Sequence, residues 1–225
     1  MNTNIKCAVF DLDGTLVNTI TDLGNACNYV LKLHGYPLKW NEEDYKRFVG
    51  NGMRVLIDRA YEHTLSPDAL ESVLKEFKQY YAATMMTHTA IYPGVREQLE
   101  RMKQYGIKLA VVTNKAHEAA VALLDTLFGK DFFDSIVGQQ EELPPKPNPT
   151  AVLRALAEMD CDPADAIYYG DSDVDMITAK NAGITAVGVT WGYRSKDNLL
   201  SVGADKIIDE TKYISTTAIN LTCPH

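Results

Sequence analysis

The sequence predicts an α/β protein in which helices cover both faces of a parallel, doubly wound sheet. Short runs of apolar, β-favouring residues alternate with segments of helical periodicity along much of the 225-residue chain. Several of these runs are almost continuously hydrophobic, as expected for strands that are buried on both faces. One interval, between the first run and the second, is far longer than a crossover helix requires and predicts an insertion.

The predicted elements follow one another in a regular order. The strand runs are 5–10, 107–113, 135–137, 166–169, 184–190 and 206–208. Helical patterns lie between them at 94–105, 116–128, 149–159 and 173–182. Strands that alternate with helices in this way are typical of a parallel sheet.

The long interval has the pattern of an all-helical insert. Its helical segments are 18–34, 42–48, 51–63 and 67–85. Ser66 is a good N-cap residue, and Pro67 suits the first turn of a helix. Tyr92-Pro93-Gly94 marks the return to the core. We therefore predict an α/β core of 1–17 and 89–225 with a helical domain inserted at 18–88.

Composition narrows the possible partners. The formal net charge is -8, which argues against nucleic acid or an anionic membrane as the main partner. No apolar run approaches the ~20 residues that span a bilayer. The four cysteines form no CxxC pair, so we expect a cytoplasmic protein with free thiols. The oligomeric state is left open between a monomer and a homodimer. The five histidines have no zinc-site spacing.

Acidic residues follow two of the predicted strands. Asp11 and Asp13, two residues apart, follow the first strand, and Gly14 then allows a sharp turn. Asp171 and Asp175 follow a later strand. Asx turns or helix capping could explain some of these acids, but hardly all of them. Loops at the carboxyl ends of strands line one crevice in such a sheet, so these acids are expected to meet.

Two further segments could supply groups for a phosphate. Thr113 ends the second predicted strand and Asn114 follows it, although these residues taken alone are more typical of a helix cap. Lys146 lies in a loop with three nearby prolines, which makes a positioned cation as plausible here as the usual mobile surface lysine. Clustered acids repel one another, and Mg²⁺ with oxygen ligands would remove that conflict.

In this order, the segments 10–15, 111–115, 144–149 and 170–175 resemble the four motifs of the haloacid dehalogenase superfamily. That resemblance implies a Rossmann-like core, with the insert at 18–88 as a helical cap of the first type. More closely, the string DLDGTLVNT and the segments 49–52, 92–95 and 188–193 resemble phosphoglycolate phosphatases. Asn18 stands where many relatives carry Asp, but it lies outside the four motifs.

The resemblance implies a role for each site residue. Asp11 would be the nucleophile that forms a phosphoaspartate, and Asp13 the general acid and base. Asp11, the carbonyl of Asp13 and Asp171 would hold Mg²⁺. The expected phosphate ligands are Thr113, Asn114 and Lys146. Asp175 and Ser172 would act indirectly, with Asp175 orienting Lys146 or a metal-bound water. The possible substrate contacts from the cap are Asn51, Arg54 and Arg47.

Several activities are compatible with this pattern. The substrate would be a small phosphorylated metabolite, and phosphoglycolate-like monoesters fit best. A phosphosugar mutase of the β-phosphoglucomutase type, a pyrophosphatase or a nucleotidase could use the same core. A phospho-accepting signalling module shares the clustered acids, a threonine and a lysine, but it needs neither Asp13 nor the helical insert.

Overall fold

The structure, a computed structural model, describes residues 5–222. The strands of this part are β1 (Cys7–Phe10), β2 (Val17–Asn18), β3 (Ala90–Ile91), β4 (Lys108–Ala116), β5 (Ser135–Gln139), β6 (Ala166–Gly170), β7 (Thr185–Val189) and β8 (Lys206–Ile208). Six of them form one sheet in the order β5-β4-β1-β6-β7-β8, and each pair is parallel. The strands β2 and β3 form a separate pair.

The helices alternate with the strands as the sequence predicts. They are α1 (Ile20–Leu33), α2 (Glu42–Phe48), α3 (Met53–Ala60), α4 (Pro67–Thr84), α5 (Val95–Gln104), α6 (His117–Phe128), α7 (Thr150–Glu158), α8 (Asp173–Ala182), α9 (Lys196–Ser201) and α10 (Tyr213–Thr222), with a short 3₁₀ helix at Pro163–Asp165. The predicted cap at Ser66 is confirmed, because its side chain accepts a hydrogen bond from the backbone N–H of Ala69. The sequence did not predict β2, β3, α9 or α10.

Helices cover both faces of the sheet, which confirms the predicted doubly wound core. Alternate residues of β1 enter two different hydrophobic clusters. Ala8 and Phe10 pack with residues of α5, α6 and α10, whereas Cys7 and Val9 pack with residues of α7 and α8. Because successive strand side chains point to opposite faces, burial on both sides requires the continuous apolar run seen in the sequence.

The chain divides into two compact units. Among the described residues, one consists of 5–17 with 91–222 and contains the six-stranded sheet. The other, Asn18–Ala90, contains α1 to α4. Its interior includes the fully buried rings of Phe77 and Tyr81. A cap function for this helical unit remains a prediction.

One expectation about the cysteines was wrong. Cys7 and Cys161 are joined by a disulfide, although 154 positions separate them in sequence. The sheet register explains their proximity, since Cys7 lies opposite Ala166 and Cys161 is in the turn that leads to β6. Cys27 is buried and free, and Cys223 lies outside the described residues. Within residues 5–222, no helix combines the length and apolar character that a membrane span needs.

Candidate active site

The site begins with three neighbouring strand ends. Phe10, at the end of β1, lies opposite Val111 of β4 and Tyr169 of β6. The residues that follow these positions therefore emerge at the same edge of the sheet. Asp11 and Asp171 are among them, and Asp175 joins them from the first turn of α8. One carboxylate oxygen from each of these three acids lies within 4.8 Å of the others.

Lys146 is buried beside this cluster and contacts two of its three acids. Its Nζ atom donates to Asp11 Oδ1 at 2.7 Å and to Asp175 Oδ1 at 2.7 Å. It also lies 3.0 Å from the Tyr168 hydroxyl and 3.1 Å from the carbonyl oxygen of Val112. These contacts fix the ammonium between two carboxylates, as expected for a positioned cation.

Asp175 uses its two oxygens for different purposes. Oδ1 faces Lys146, while Oδ2 accepts hydrogen bonds from the Ser172 hydroxyl at 2.6 Å and from the Ser172 N–H at 3.1 Å. Ser172 and Asp175 thus form the reciprocal capping arrangement that begins α8. The Asp175 side chain thus serves both the N-terminal cap of α8 and the contact with Lys146, and we call the contact of Lys146 with Asp11 and Asp175 the lysine clamp. The start of α8 therefore fixes the direction of the Asp175 carboxylate.

Asp171 is fully buried and held from both sides. Its Oδ1 accepts from the Thr15 hydroxyl at 2.9 Å, and its Oδ2 accepts from the backbone N–H of Tyr193 at 2.8 Å. Gly14 has φ +95°, and a Cβ at that position would lie 2.3 Å from Asp171 Oδ2. A side chain at Gly14 is therefore excluded by both the backbone conformation and the available space.

Lys115 is a buried residue of this site that the sequence analysis did not select. Its Nζ lies 3.1 Å and 3.3 Å from the two carboxylate oxygens of Asp13. The strand β4 continues to Ala116, so Lys115 lies on the same face as Thr113, two residues earlier. That two-residue alternation was the signal that could have identified it.

Thr113 and Asn114 lie beside the lysines. The buried Thr113 hydroxyl accepts a hydrogen bond from the Lys115 N–H at 3.2 Å. Asn114 accepts from the Lys146 N–H at 2.8 Å, and its amide donates to the Lys146 carbonyl at 3.2 Å. The asparagine side chain therefore holds the lysine loop, and phosphate binding by Thr113 and Asn114 remains a prediction.

The buried charges explain why this site suits a cation. Burial, and then the charge of Asp175, raise the pKa of Asp11 to about 7 despite the opposing effect of Lys146. Burial and the neighbouring acids also raise the pKa of Asp171 well above its usual value. Burial alone would lower the pKa of Lys146, but Asp11 and Asp175 outweigh it and raise that pKa. Three carboxylates with one lysine leave an excess of negative charge on oxygen ligands, which fits a hard divalent ion.

The predicted substrate contacts lie in the helical unit. The exposed Arg47 pairs with the half-buried Asp44, and Arg54 pairs with Glu71 in an exposed ion pair. Asn51 is half-buried between α2 and α3. Contact of these three residues with a substrate remains a prediction.

A parallel sheet with acids and a buried lysine at its strand ends defines a class of α/β enzymes that act on phosphate groups. Residues 8–189 match the haloacid dehalogenase-like hydrolase family, and the chain belongs to that family. It is a phosphatase-type hydrolase, similar to phosphoglycolate phosphatases.

Relatives cover almost the whole chain. The chain is 34% identical to phosphoglycolate phosphatase of Haemophilus influenzae over 224 residues, which cover 96% of this chain and 99% of that protein. It is also 34% identical to phosphoglycolate phosphatase of Caulobacter vibrioides, with 96% and 92% covered. A crystal structure from Lactobacillus delbrueckii subsp. bulgaricus, provisionally assigned as a phosphoglycolate phosphatase, superposes with a TM-score of 0.89 at 32% identity and covers 96% and 98% of the two chains.

Proposed function

We propose that this enzyme hydrolyses a small phosphate monoester, of the phosphoglycolate type, with Mg²⁺ and a phosphoaspartate on Asp11. The observation that carries the proposal is the position of the Asp11 carboxylate. It lies 2.7 Å from Lys146 and within 4.8 Å of carboxylate oxygens of Asp171 and Asp175. A nucleophilic carboxylate beside a fixed cation and a candidate metal site is suited to attack a phosphoryl group.

The reaction would proceed in two displacements. An Asp11 oxygen attacks phosphorus, the bond from phosphorus to the leaving oxygen breaks, and Asp13 gives its proton to that oxygen. Asp13, now a carboxylate, then takes a proton from a water molecule whose oxygen attacks the same phosphorus. The bond from Asp11 to phosphorus breaks, so that inorganic phosphate leaves and both aspartates return to their starting states.

Asp11, the backbone carbonyl of Asp13 and Asp171 would hold the metal ion. When bound, Mg²⁺ supplies positive charge that offsets the negative charge on the transferring phosphoryl group. Lys146 would add a second positive charge, and Asp175 would keep its ammonium group in place. Thr113 and Asn114 would contribute hydrogen bonds to phosphoryl oxygens, as the family resemblance implies.

The proposed substrate class rests on the relatives. Proteins named phosphoglycolate phosphatase match more than nine-tenths of this chain at about one-third identity. We propose phosphoglycolate or a similarly small metabolite as the partner, rather than nucleic acid or a membrane. The helical unit would act as a cap that excludes bulk water, with Asn51, Arg47 and Arg54 as its substrate contacts.

The test is a screen of phosphorylated metabolites, including phosphoglycolate, sugar phosphates, nucleotides and pyrophosphate, with and without Mg²⁺. Free phosphate and isomerised sugar phosphate are both measured, since isomer formation would identify a mutase. We expect metal-dependent phosphate release, highest for a small monoester, and a loss of several orders of magnitude in Asp11→Asn.

A matched control is Asp173→Asn, because Asp173 begins α8, close in sequence to Asp171 and Asp175, but pairs with Arg194. This variant should keep most of its activity. A folded Asp11→Asn enzyme that retained most of its rate would contradict the covalent mechanism, and highest turnover on nucleotides or pyrophosphate would contradict the substrate class.

A further inference from the structure

Lys115 and Lys146 divide the acids of the site into two sets. Lys146 contacts Asp11 and Asp175, which belong to the group of three closely spaced carboxylates. Lys115 contacts both oxygens of Asp13, whose carboxylate is not part of that group. The two lysines therefore bind different acids, although Asp11 and Asp13 are only two residues apart.

Burial restricts the movement of the Lys115 and Asp13 side chains. The Lys115 side chain is 1% exposed and that of Asp13 is 15% exposed. A lysine that is enclosed in this way cannot turn to solvent, so it contributes its charge at a fixed place. The two oxygens of Asp13 lie at nearly equal distances from Nζ, so the carboxylate faces the ammonium group with both of its oxygens.

A carboxylate two residues from a predicted metal ligand, as Asp13 is from Asp11, has a competing option. Without a partner it could rotate toward a divalent ion and become a further ligand, and it would then be unable to exchange a proton with substrate or water. An ammonium group in contact with both oxygens opposes that rotation. The strand β4 supplies this group from its second-last residue, two positions after the predicted phosphate ligand Thr113.

We propose that Lys115 is the positioning residue for Asp13: it holds the acid and base of the reaction apart from the metal ligands and directed at the leaving oxygen. The inference rests on the proposed function. Lys115 acts through Asp13, so its loss should impair each step that needs a proton transfer and should spare the attack by Asp11.

The two steps can be separated by the choice of leaving group. An alkyl phosphate, such as phosphoglycolate, has a strongly basic leaving oxygen that needs a proton as its bond to phosphorus breaks. The leaving group of 4-nitrophenyl phosphate is a stable phenolate and needs little help. Hydrolysis of the phosphoaspartate requires activation of water by Asp13 whichever substrate was used.

The experiment therefore compares Lys115→Met with the wild type in stopped-flow and steady-state assays at saturating Mg²⁺. For the alkyl phosphate, kcat should fall by about a hundredfold or more, within the range that general acid and base catalysis contributes. For 4-nitrophenyl phosphate we expect a rapid burst of up to one phenolate per enzyme, followed by slow turnover, because phosphorylation proceeds and dephosphorylation does not. Lys115→Arg, which keeps the charge, should recover part of the loss.

A double-mutant comparison separates positioning from general damage. Residues that act as a unit have non-additive effects. Adding Lys115→Met to Asp13→Asn should therefore lower kcat by less than threefold beyond Asp13→Asn alone. If Lys115→Met alone folds poorly because Asp13 loses its partner, the double variant avoids that problem, since it removes both charges of the pair. Lys108→Met is the matched control, since Lys108 lies at the far end of the same strand and donates to the Met159 carbonyl. It should behave like the wild type.

Equal losses on the two substrates without a burst, or additive losses in the double variant, would overturn the role of Lys115. A failure of the proposed function looks different. In that case the wild type would release no phosphate from any monoester, or Asp11→Asn would remain active, whatever the residue at position 115.

Discussion

Gly192 packs directly against the side chain of Asp171. A Cβ on Gly192 would lie 2.3 Å from the Asp171 Cβ and 2.4 Å from the carbonyl oxygen of Gly14. The next residue, Tyr193, donates its backbone N–H to Asp171 Oδ2 at 2.8 Å. The loop after β7 therefore sets the position of a predicted metal ligand through backbone atoms alone.

This contact predicts the effect of Gly192→Ala. The new methyl group must displace either Asp171 or the loop, so metal affinity should fall by about ten- to a hundredfold, as for other changes to the support of a metal ligand. The measurement is the Mg²⁺ concentration that gives half-maximal stabilisation in thermal unfolding, with activity as a second readout. Unfolding without metal serves as the control, and an unchanged Mg²⁺ dependence would show that the loop does not position Asp171.

Addition of Mg²⁺ should stabilise the protein. The raised pKa values of Asp11 and Asp171 reflect burial and then repulsion by neighbouring acids, first of all Asp175, and a bound cation would relieve the repulsion. At a metal concentration of a hundred dissociation constants, binding contributes about 2.7 kcal/mol of unfolding free energy. The melting temperature of the wild type should rise with Mg²⁺, whereas that of Asp171→Asn should respond far less. Equal responses in both proteins would place the ion elsewhere.

The strand ends were predictable from sequence because their signals are local. The string around Asp11 combines an apolar strand, two acids and a glycine turn, and β1 then places it between β4 and β6. The acids of 171–175 follow a buried strand in the same way. Parallel pairing brings these ends together without any further information.

The missed features depend on register and on backbone atoms. Lys115 was overlooked because the predicted strand ended at 113, whereas β4 continues to Ala116. The contribution of Gly192 and Tyr193 to Asp171 is made by the backbone, which no side-chain pattern reveals. The pairing of Cys7 with Cys161 follows from the register of β1 and β6, which the composition of neither strand specifies.

Tyr168 gives a test of the lysine clamp that leaves all charges in place. Its hydroxyl lies 3.0 Å from Lys146 Nζ and 3.1 Å from Asp175 Oδ1, and the ring is fully buried. Tyr168→Phe removes these hydrogen bonds without changing the volume greatly, so we expect a loss of about 1–2 kcal/mol in unfolding free energy and a smaller effect on rate than Lys146→Met. Chemical denaturation and kcat provide the measurements. A loss of activity as large as that of Lys146→Met would instead assign the hydroxyl a direct part in the reaction.

Asp22 gives the helical unit a stability that depends on pH. This buried carboxylate accepts hydrogen bonds from the backbone and ring of His88 and from the backbone and hydroxyl of Thr89. Burial alone would raise its pKa, but these hydrogen bonds outweigh burial and lower the pKa below the usual value. The contacts therefore join the beginning of α1 to the segment just before β3.

The sign of the effect follows from the lowered pKa. The contribution of Asp22 to the free energy of unfolding is complete above the pKa of an aspartate in the unfolded chain, about 3.9. It is lost as the pH falls through the lower pKa that Asp22 has in the folded protein. Asp22→Asn should cost about 2 kcal/mol near neutral pH, because a charged acceptor of several hydrogen bonds is lost. Urea unfolding from pH 7 to pH 3 should show the two proteins converging in acid. Asp68→Asn, an exposed acid in the first turn of α4, is the control, and a difference between wild type and Asp22→Asn that stayed constant down to pH 3 would contradict the assignment.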